Sequence, residues 1–303
     1  MRILLTGSNG FLGQKFCEKY KENSEIQSIL GISKSANRNP YLQEEEFKQL
    51  DLLDFKNLKL AISDFNPTHI LHTAAITSVE ACEKEIELAK QINVELSANL
   101  AQVCQQKNIH FTFLSTDFVF DGENGPYKET DPMKANNMYG QTKIDAERKI
   151  TANNPDAAIL RTILVYGAIP DKNRSNLVLW AKKQLEKGEK INVVSDQYRM
   201  PTWVDDLADA CYATMQKKAS GIFHISGNEM MSIIEAVNIL ADTWNLDKNL
   251  ILPISAAAIG QAENRPRKTG FILDKAKTIL DYKPTSFVVS LQKIKEQLNN
   301  YNS

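Results

Sequence analysis

The segment Gly7-Ser8-Asn9-Gly10-Phe11-Leu12-Gly13 follows directly on the apolar run Ile3-Leu4-Leu5. Three glycines at three-residue spacing behind an apolar run predict a buried strand, a sharp turn, and a helix beginning near Phe11. Glycine suits that turn because the backbone must reverse tightly, admit a phosphate, and let the helix pack close on the strand. A helix entered this way aims its free first-turn N–H groups and the positive end of its dipole at whatever fills the turn. The spacing is G-x-x-G-x-x-G, one residue wider than the common dinucleotide fingerprint. We read a dinucleotide site built on Gly7, Asn9, Gly10, Phe11, Leu12 and Gly13. A tight strand-to-helix turn with no ligand is the plainer alternative.

Strand and helix patterns then alternate. Residues 2–6, 26–32, 69–73, 110–115 and 157–163 read as strands, and residues 11–20, 55–63, 85–106 and 139–152 as helices. The longest of these carries Ile86, Ala89, Ile92, Leu96, Leu100 and Val103 at helical spacing. This rhythm predicts an α/β fold, a Rossmann-type doubly wound parallel sheet whose ligands lie beyond the carboxyl ends of the strands. Past residue 166 the pattern loosens into separate helices over 176–187, 205–216 and 232–244. The expected division is a dinucleotide-binding domain over residues 1–165 and a smaller, mainly substrate-binding lobe over residues 166–303. Segments within 203–226 are able to return to the first domain.

A chain of 303 residues with a net charge of −1 offers no electrostatic case for nucleic acid or a lipid surface. No apolar run is long enough to cross a bilayer. Met1-Arg2 leads straight into the first strand, so a cleaved leader is not expected. Cys17, Cys82, Cys104 and Cys211 are scattered, never in a C-x-x-C pair, and read as small core side chains. A cytoplasmic protein is expected, with a homodimer left open.

Strand two ends in Gly31-Ile32-Ser33-Lys34-Ser35 with no carboxylate. An acidic residue there usually holds the ribose 2′-hydroxyl of NAD. Hydroxyls and a lysine instead accept a 2′-phosphate, and Arg38 lies close by, so NADPH is favoured while NADH stays possible. Thr73-Ala74-Ala75 closes another strand with small residues against which a cofactor can lie. Tyr139 and Lys143 stand four apart at a helix start, hence on one face. A neighbouring ammonium is expected to lower the Tyr139 pKa and make the phenol a usable acid or base. With nine tyrosines in the chain one such pair arises by chance, so its weight comes from position. It follows the strand ending Phe113-Leu114-Ser115-Thr116-Asp117, whose hydroxyls would face the same crevice.

The glycine triplet, Ser115-Thr116-Asp117-Phe118-Val119-Phe120-Asp121-Gly122, the Tyr139/Lys143 pair, Arg161-Thr162-Ile163-Leu164-Val165-Tyr166-Gly167, Asp196-Gln197-Tyr198-Arg199-Met200-Pro201-Thr202 and Arg265-Pro266-Arg267 occur in one familiar order. The chain resembles the extended short-chain dehydrogenase/reductases, and among them the dTDP-4-dehydrorhamnose reductase family. That resemblance implies NADPH-dependent reduction of the 4-keto group of a nucleotide-linked deoxysugar. Tyr139 would protonate the carbonyl oxygen, Lys143 would hold the ribose and tune Tyr139, and Thr116 would bond the reacting oxygen, with Ser115 as the other candidate. Asp117 and Phe118 would line the sugar pocket with Thr77, and Asp51 and Leu52 would lie beside the adenine. Arg199, Arg265 and Arg267 are candidates for the substrate diphosphate, since a guanidinium matches phosphate oxygens with paired donors.

Three positions depart from the family. Leu164 replaces a frequent Trp, His72 a commoner Asn, and Lys15 the Glu with which some members bind Mg²⁺, so no metal is expected. Two other readings stay open. One is a nucleotide-sugar epimerase or dehydratase on the same fold. The other is a regulatory subunit resembling the beta subunit of methionine adenosyltransferase.

Overall fold

A computed structural model describes residues 1–171, 174–261 and 264–301. Seven strands form one sheet: β1 (Arg2–Thr6), β2 (Ser28–Ser33), β3 (Phe47–Gln49), β4 (His69–His72), β5 (His110–Thr116), β6 (Ala158–Thr162) and β7 (Gly221–Ile225). Their order is β3-β2-β1-β4-β5-β6-β7, with every neighbouring pair parallel. Both faces are covered by helices, which is why the central strands carry continuous apolar runs such as the fully buried Ile3, Leu4 and Leu5. Strand order reverses between β1 and β4, and that reversal opens a crevice at their carboxyl ends.

The α-helices of seven or more residues among those described are α1 (Phe11–Tyr20), α2 (Phe55–Phe65), α3 (Leu96–Lys107), α4 (Met138–Asn153), α5 (Leu177–Glu186), α6 (Val204–Gln216), α7 (Ile233–Trp244), α8 (Asp274–Leu280) and α9 (Phe287–Asn300). Asparagine ends three of them: Asn66, Asn108 and Asn245 adopt φ of 48°, 55° and 54° after α2, α3 and α7. Its short amide tolerates the left-handed region better than other side chains with a Cβ. The expected single helix over 85–106 is three pieces: Ile86–Lys90, a widened π turn at Gln91–Glu95, and α3. Strand β3 was not expected. It is three residues long at the sheet edge with exposed Lys48 and Gln49, so no apolar pattern marks it.

The second half of the chain crosses between two cores. Tyr166, Ala181, Ile191, Val237, Leu240, Leu291 and Ile294 belong to a separate cluster under α5, α7 and α9. Residues 204–225 go back to the sheet instead. Strand β7 pairs with β6, and α6 lies on α1, where Lys19 and Tyr20 both engage Asp209. The four cysteines are buried and unbonded to one another. No helix among the described residues is long and apolar enough to cross a membrane.

All four histidines sit where burial disfavours the imidazolium. Burial pushes His69 down to about 4 and His72 to about 3, and lowers His110 and His224 as well. The unfolded chain takes up protons at these sites below about 6.5 while the fold refuses them. Their contribution is thus complete above pH 6.5 and is lost as pH falls towards the folded values. His72 is held by Thr6 Oγ1 at 2.7 Å and Ser97 Oγ at 3.0 Å, and His72→Asn deletes its titration while placing a polar amide there. Urea unfolding of wild type and His72→Asn at pH 7.5 and 4.5 tests this. The variant should lose about 3 kcal/mol less over that interval; equal losses would show that His72 does not titrate on unfolding.

Candidate functional site

The turn after β1 is built on missing Cβ atoms. Gly7 has φ +73°, and a Cβ there would fall 2.7 Å from Thr73 Oγ1 and 2.9 Å from the Ala74 nitrogen. A Cβ on Gly13 would fall 2.5 Å from the Gly7 carbonyl oxygen, so α1 rests directly on the turn. Helix α1 starts at Gly10 with no capping side chain and no acidic residue in its first turn. Its first N–H groups therefore have neither an intrahelical partner nor a side-chain cap. Gly10, Phe11 and Leu12 line a cleft of about 610 Å³, with Thr73, Ala75 and Thr77 on the floor after β4.

Asn9 organises the end of β2. Its backbone N–H donates to Ser33 Oγ at 3.1 Å, its side-chain amide donates to Ser35 Oγ at 3.1 Å, and its Oδ1 accepts from the Arg38 N–H at 2.9 Å. Lys34 is exposed and paired with Asp51 at 2.8 Å, and this hydrogen bond holds the Asp51 carboxyl below its usual range. A carboxylate thus does stand beside the end of β2, supplied by the loop after β3 rather than by β2 itself. Leu52, next to Asp51, packs on the buried cluster beneath the sheet.

The opposite wall carries the Tyr139/Lys143 pair and Thr116. Tyr139 lies in the first turn of α4, whose N-cap Asn137 accepts the Gly140 N–H at 2.8 Å. Gly140 lies so close to the Phe118 carbonyl that a Cβ would come within 2.1 Å of that oxygen. Tyr139 and Thr116 both line the cleft, and, against the burial that raises it, the Thr116 side chain lowers the pKa of the phenol. One turn on, Lys143 Nζ donates to the Leu114 carbonyl at 2.9 Å and lies 4.4 Å from the Phe113 ring centroid. Burial brings Lys143 down to about 8.

The expected fall in the Tyr139 pKa does not occur. Burial pushes the phenol up, and the Thr116 side chain offsets only part of that. Desolvation outweighs any help from Lys143, so Tyr139 stays a protonated phenol at neutral pH, the form an acid needs. Ser115 and Thr116 also separate. Ser115 donates its hydroxyl to the buried Glu147, leaving Thr116 as the hydroxyl beside Tyr139.

Arg199 lines the cleft without offering itself to an anion. Its guanidinium donates to the carbonyls of Tyr198, Arg267 and Pro266 at 2.7, 3.3 and 2.6 Å, and its Nε lies 3.8 Å from Asp117. These bonds clasp the 266–267 segment to the cleft wall and speak against Arg199 as a diphosphate ligand. Asp117 is sealed in the same knot by Thr269 and Thr116, and burial raises its carboxyl. The Arg267 side chain is exposed, outside the cleft lining. Arg265 lines the mouth of the cleft and is paired with Glu80 at 2.9 Å. Phe118 meets the Tyr139 ring edge-on at 6.0 Å, and Leu164 lines the cleft with φ 39°. Lys15 is buried between Glu18 at 2.7 Å and Asp205 at 3.7 Å, a structural role away from the cleft.

Sequence reasoning missed Asn93. In the π turn it accepts the Ile76 N–H at 2.9 Å and donates to Thr142 Oγ1 at 3.1 Å, tying the cleft floor to the Tyr139 helix. Nothing in a polar residue at mid-helix marks such a role. The Asn137 cap, by contrast, carries an ordinary helix-start signal.

The family described as RmlD substrate binding domain matches residues 1–300. The chain belongs to this family. Methionine adenosyltransferase 2 subunit beta of Xenopus laevis is 36% identical over 270 residues, covering 88% of this chain and 78% of that protein. The crystal structure of dTDP-4-dehydrorhamnose reductase from Bacillus anthracis in complex with NADP superposes with a TM-score of 0.86 at 26% identity, covering 98% and 99% of the two chains. UDP-glucose 4-epimerase of Thermotoga maritima superposes with a TM-score of 0.86 at 22% identity over all of both chains, a likeness of fold. This member of the RmlD substrate binding domain family therefore shares the extended short-chain dehydrogenase/reductase fold, with β7 and α6 supplied from beyond the first lobe crossing.

Gly140→Ala tests how the Tyr139 wall is held. A methyl facing a backbone oxygen has no room, so the variant should lose about 1–3 kcal/mol of stability, the usual cost of overpacking. Thermal denaturation that leaves the variant as stable as wild type would show that the wall gives way easily.

Proposed function

We propose that this chain binds NADPH across the crevice and reduces the 4-keto group of a nucleotide-linked deoxysugar. One observation carries the reading: a half-buried, protonated Tyr139 beside Thr116, with Lys143 one turn away, in one cleft with the uncapped start of α1. The residues suit a dinucleotide. The first turn of α1 is free to take its pyrophosphate, and Ser33 and Ser35 stand at the end of β2, where Lys34 would exchange Asp51 for a 2′-phosphate. Similarity to a reductase crystallised with NADP supports the same choice. When bound, the nicotinamide supplies a hydride to the substrate carbonyl carbon.

The chain's own residues do the rest. Thr116, on turning its proton from Asp117 to the substrate, donates a hydrogen bond that fixes the carbonyl oxygen, and Tyr139 passes its phenolic proton to that oxygen as charge develops there. Lys143, in its ammonium form, stabilises the tyrosinate left behind. Arg265, at the mouth, is placed to exchange Glu80 for the substrate diphosphate. Asp117 and Arg199 shape the wall against which the sugar lies.

A second reading is favoured by the 36% identity to methionine adenosyltransferase 2 subunit beta: a non-catalytic subunit that keeps the cofactor cleft and regulates a larger partner. Oxidation of NADPH against a panel of 4-keto nucleotide sugars separates the two. The reductase reading predicts turnover with at least one of them and a loss of about a hundredfold or more in Tyr139→Phe, with NADPH affinity little changed. No turnover on any substrate, with NADPH still bound, would leave the regulatory reading.

A further inference from the structure

Behind the cleft wall lies a polar cluster that the proposed reduction does not use. Glu147 and Arg161 are almost fully buried, at 1% exposure each. Arg161 Nη2 meets Glu147 Oε2 at 2.7 Å, and Arg161 Nε meets Oε1 and Oε2 at 3.0 and 3.2 Å. Ser115 donates to the same carboxylate from the end of β5. The far side of the guanidinium is held as well, by the Glu129 carbonyl and His224 Nε2, each at 3.3 Å, and it lies 5.1 Å from the Phe120 ring centroid. An ion pair so deep costs several kcal/mol of desolvation per charge and is weak evidence of stabilisation, because an apolar pair of similar volume often serves as well. Its place in the fold points to another use. Glu147 follows Lys143 by four residues on α4, which puts both on one helix face.

We propose that Glu147 is a positioning residue of the site: clamped by Arg161 and Ser115, its carboxyl group stands one helical turn from Lys143 on the same face of α4 and supports that side chain electrostatically. This rests on the reading of Tyr139 and Lys143 as the proton-handling pair. The surroundings of Lys143 leave few other sources of negative charge. Helix Val79–Lys84 presents Cys82, whose thiol burial keeps protonated, and β4 presents His72, which burial keeps neutral. Strand β5 presents the Leu114 carbonyl and the Phe113 ring, and α4 itself presents the protonated Tyr139. Glu147 is the leading charge that raises Lys143 against the burial that lowers it. Arg161 then acts as a clamp. Without it the carboxylate would itself be a buried, unpaired charge and would take up a proton.

The test is a ¹⁵N NMR titration of the Lys143 ammonium in the cofactor-free protein, assigned by the signal lost in Lys143→Arg. The wild-type midpoint is expected at about 8. In Glu147→Gln/Arg161→Met, which removes both buried charges together, the midpoint should fall by about one unit. Turnover should lose its alkaline limb by the same amount, whereas a merely structural role would lower turnover equally at all pH. Arg161→Met alone keeps the carboxyl group but not its clamp; once that group takes up a proton its charge state matches the double variant, so the midpoint should fall by about the same amount. A folded double variant with an unmoved midpoint overturns the proposal, and so does an unmoved midpoint in Arg161→Met should the double variant not fold. Failure of the wild type to oxidise NADPH would instead count against the reductase reading and leave the titration result standing.

Discussion

The carbonyl oxygen of Gly7 is the point about which the cofactor side of this molecule is assembled. It accepts the Gly10 N–H at 2.7 Å, and it would lie 2.9 Å and 2.5 Å from Cβ atoms on Gly10 and Gly13. Gly7 itself presses on Thr73 and Ala74, so the turns after β1 and β4 share one contact. Helix α1 can therefore begin only where its open first turn looks into the crevice between those strands. Side chains at these glycines would push the helix outward and close off the place where an anion meets the N–H groups.

Across the crevice the controlling effect is the removal of water. Burial raises Tyr139 and lowers Lys143 to about 8, so the phenol keeps its proton and the amine sits close to neutrality. Lys143 is thereby moved towards the range in which proton transfer near neutral pH operates, whereas Tyr139 keeps its proton until charge develops on a bound oxygen. The Tyr139 wall again depends on a missing Cβ, at Gly140, where the helix meets the Phe118 carbonyl. The fold alone decides little, since a 4-epimerase shares it with the same TM-score as a reductase. What separates chemistries is which groups the two walls hold, and in which protonation state.

Much of this was legible in the chain because the relevant partners are close in sequence. The Gly7–Gly13 turn, the Tyr139/Lys143 spacing and the βαβ rhythm are local patterns, and the sheet and cleft follow them. The edge strand Phe47–Gln49 was hidden because an exposed strand of three residues needs no apolar signature. The π turn at Gln91–Glu95 was hidden because apolar residues on either side keep helical spacing through it. Long-range partners were the larger gap. Arg199 is adjacent in sequence to nothing that predicts its clasp on residues 266 and 267, and Asp51 meets Lys34 only once β3 has formed. Likewise the fate of Tyr139 was misjudged from its neighbour at position 143, because burial, which sequence spacing does not report, outweighs that neighbour.

The central claim is that one dinucleotide bridges the start of α1 and the Tyr139 wall. A crystal structure of the protein with NADP⁺ tests it most directly. The account predicts the pyrophosphate on the N–H groups of Phe11 and Leu12, the 2′-phosphate beside Ser33, Lys34 and Ser35, and the nicotinamide beside Tyr139 and Lys143. A cofactor bound away from the α1 turn, or with its nicotinamide remote from Tyr139, would contradict it.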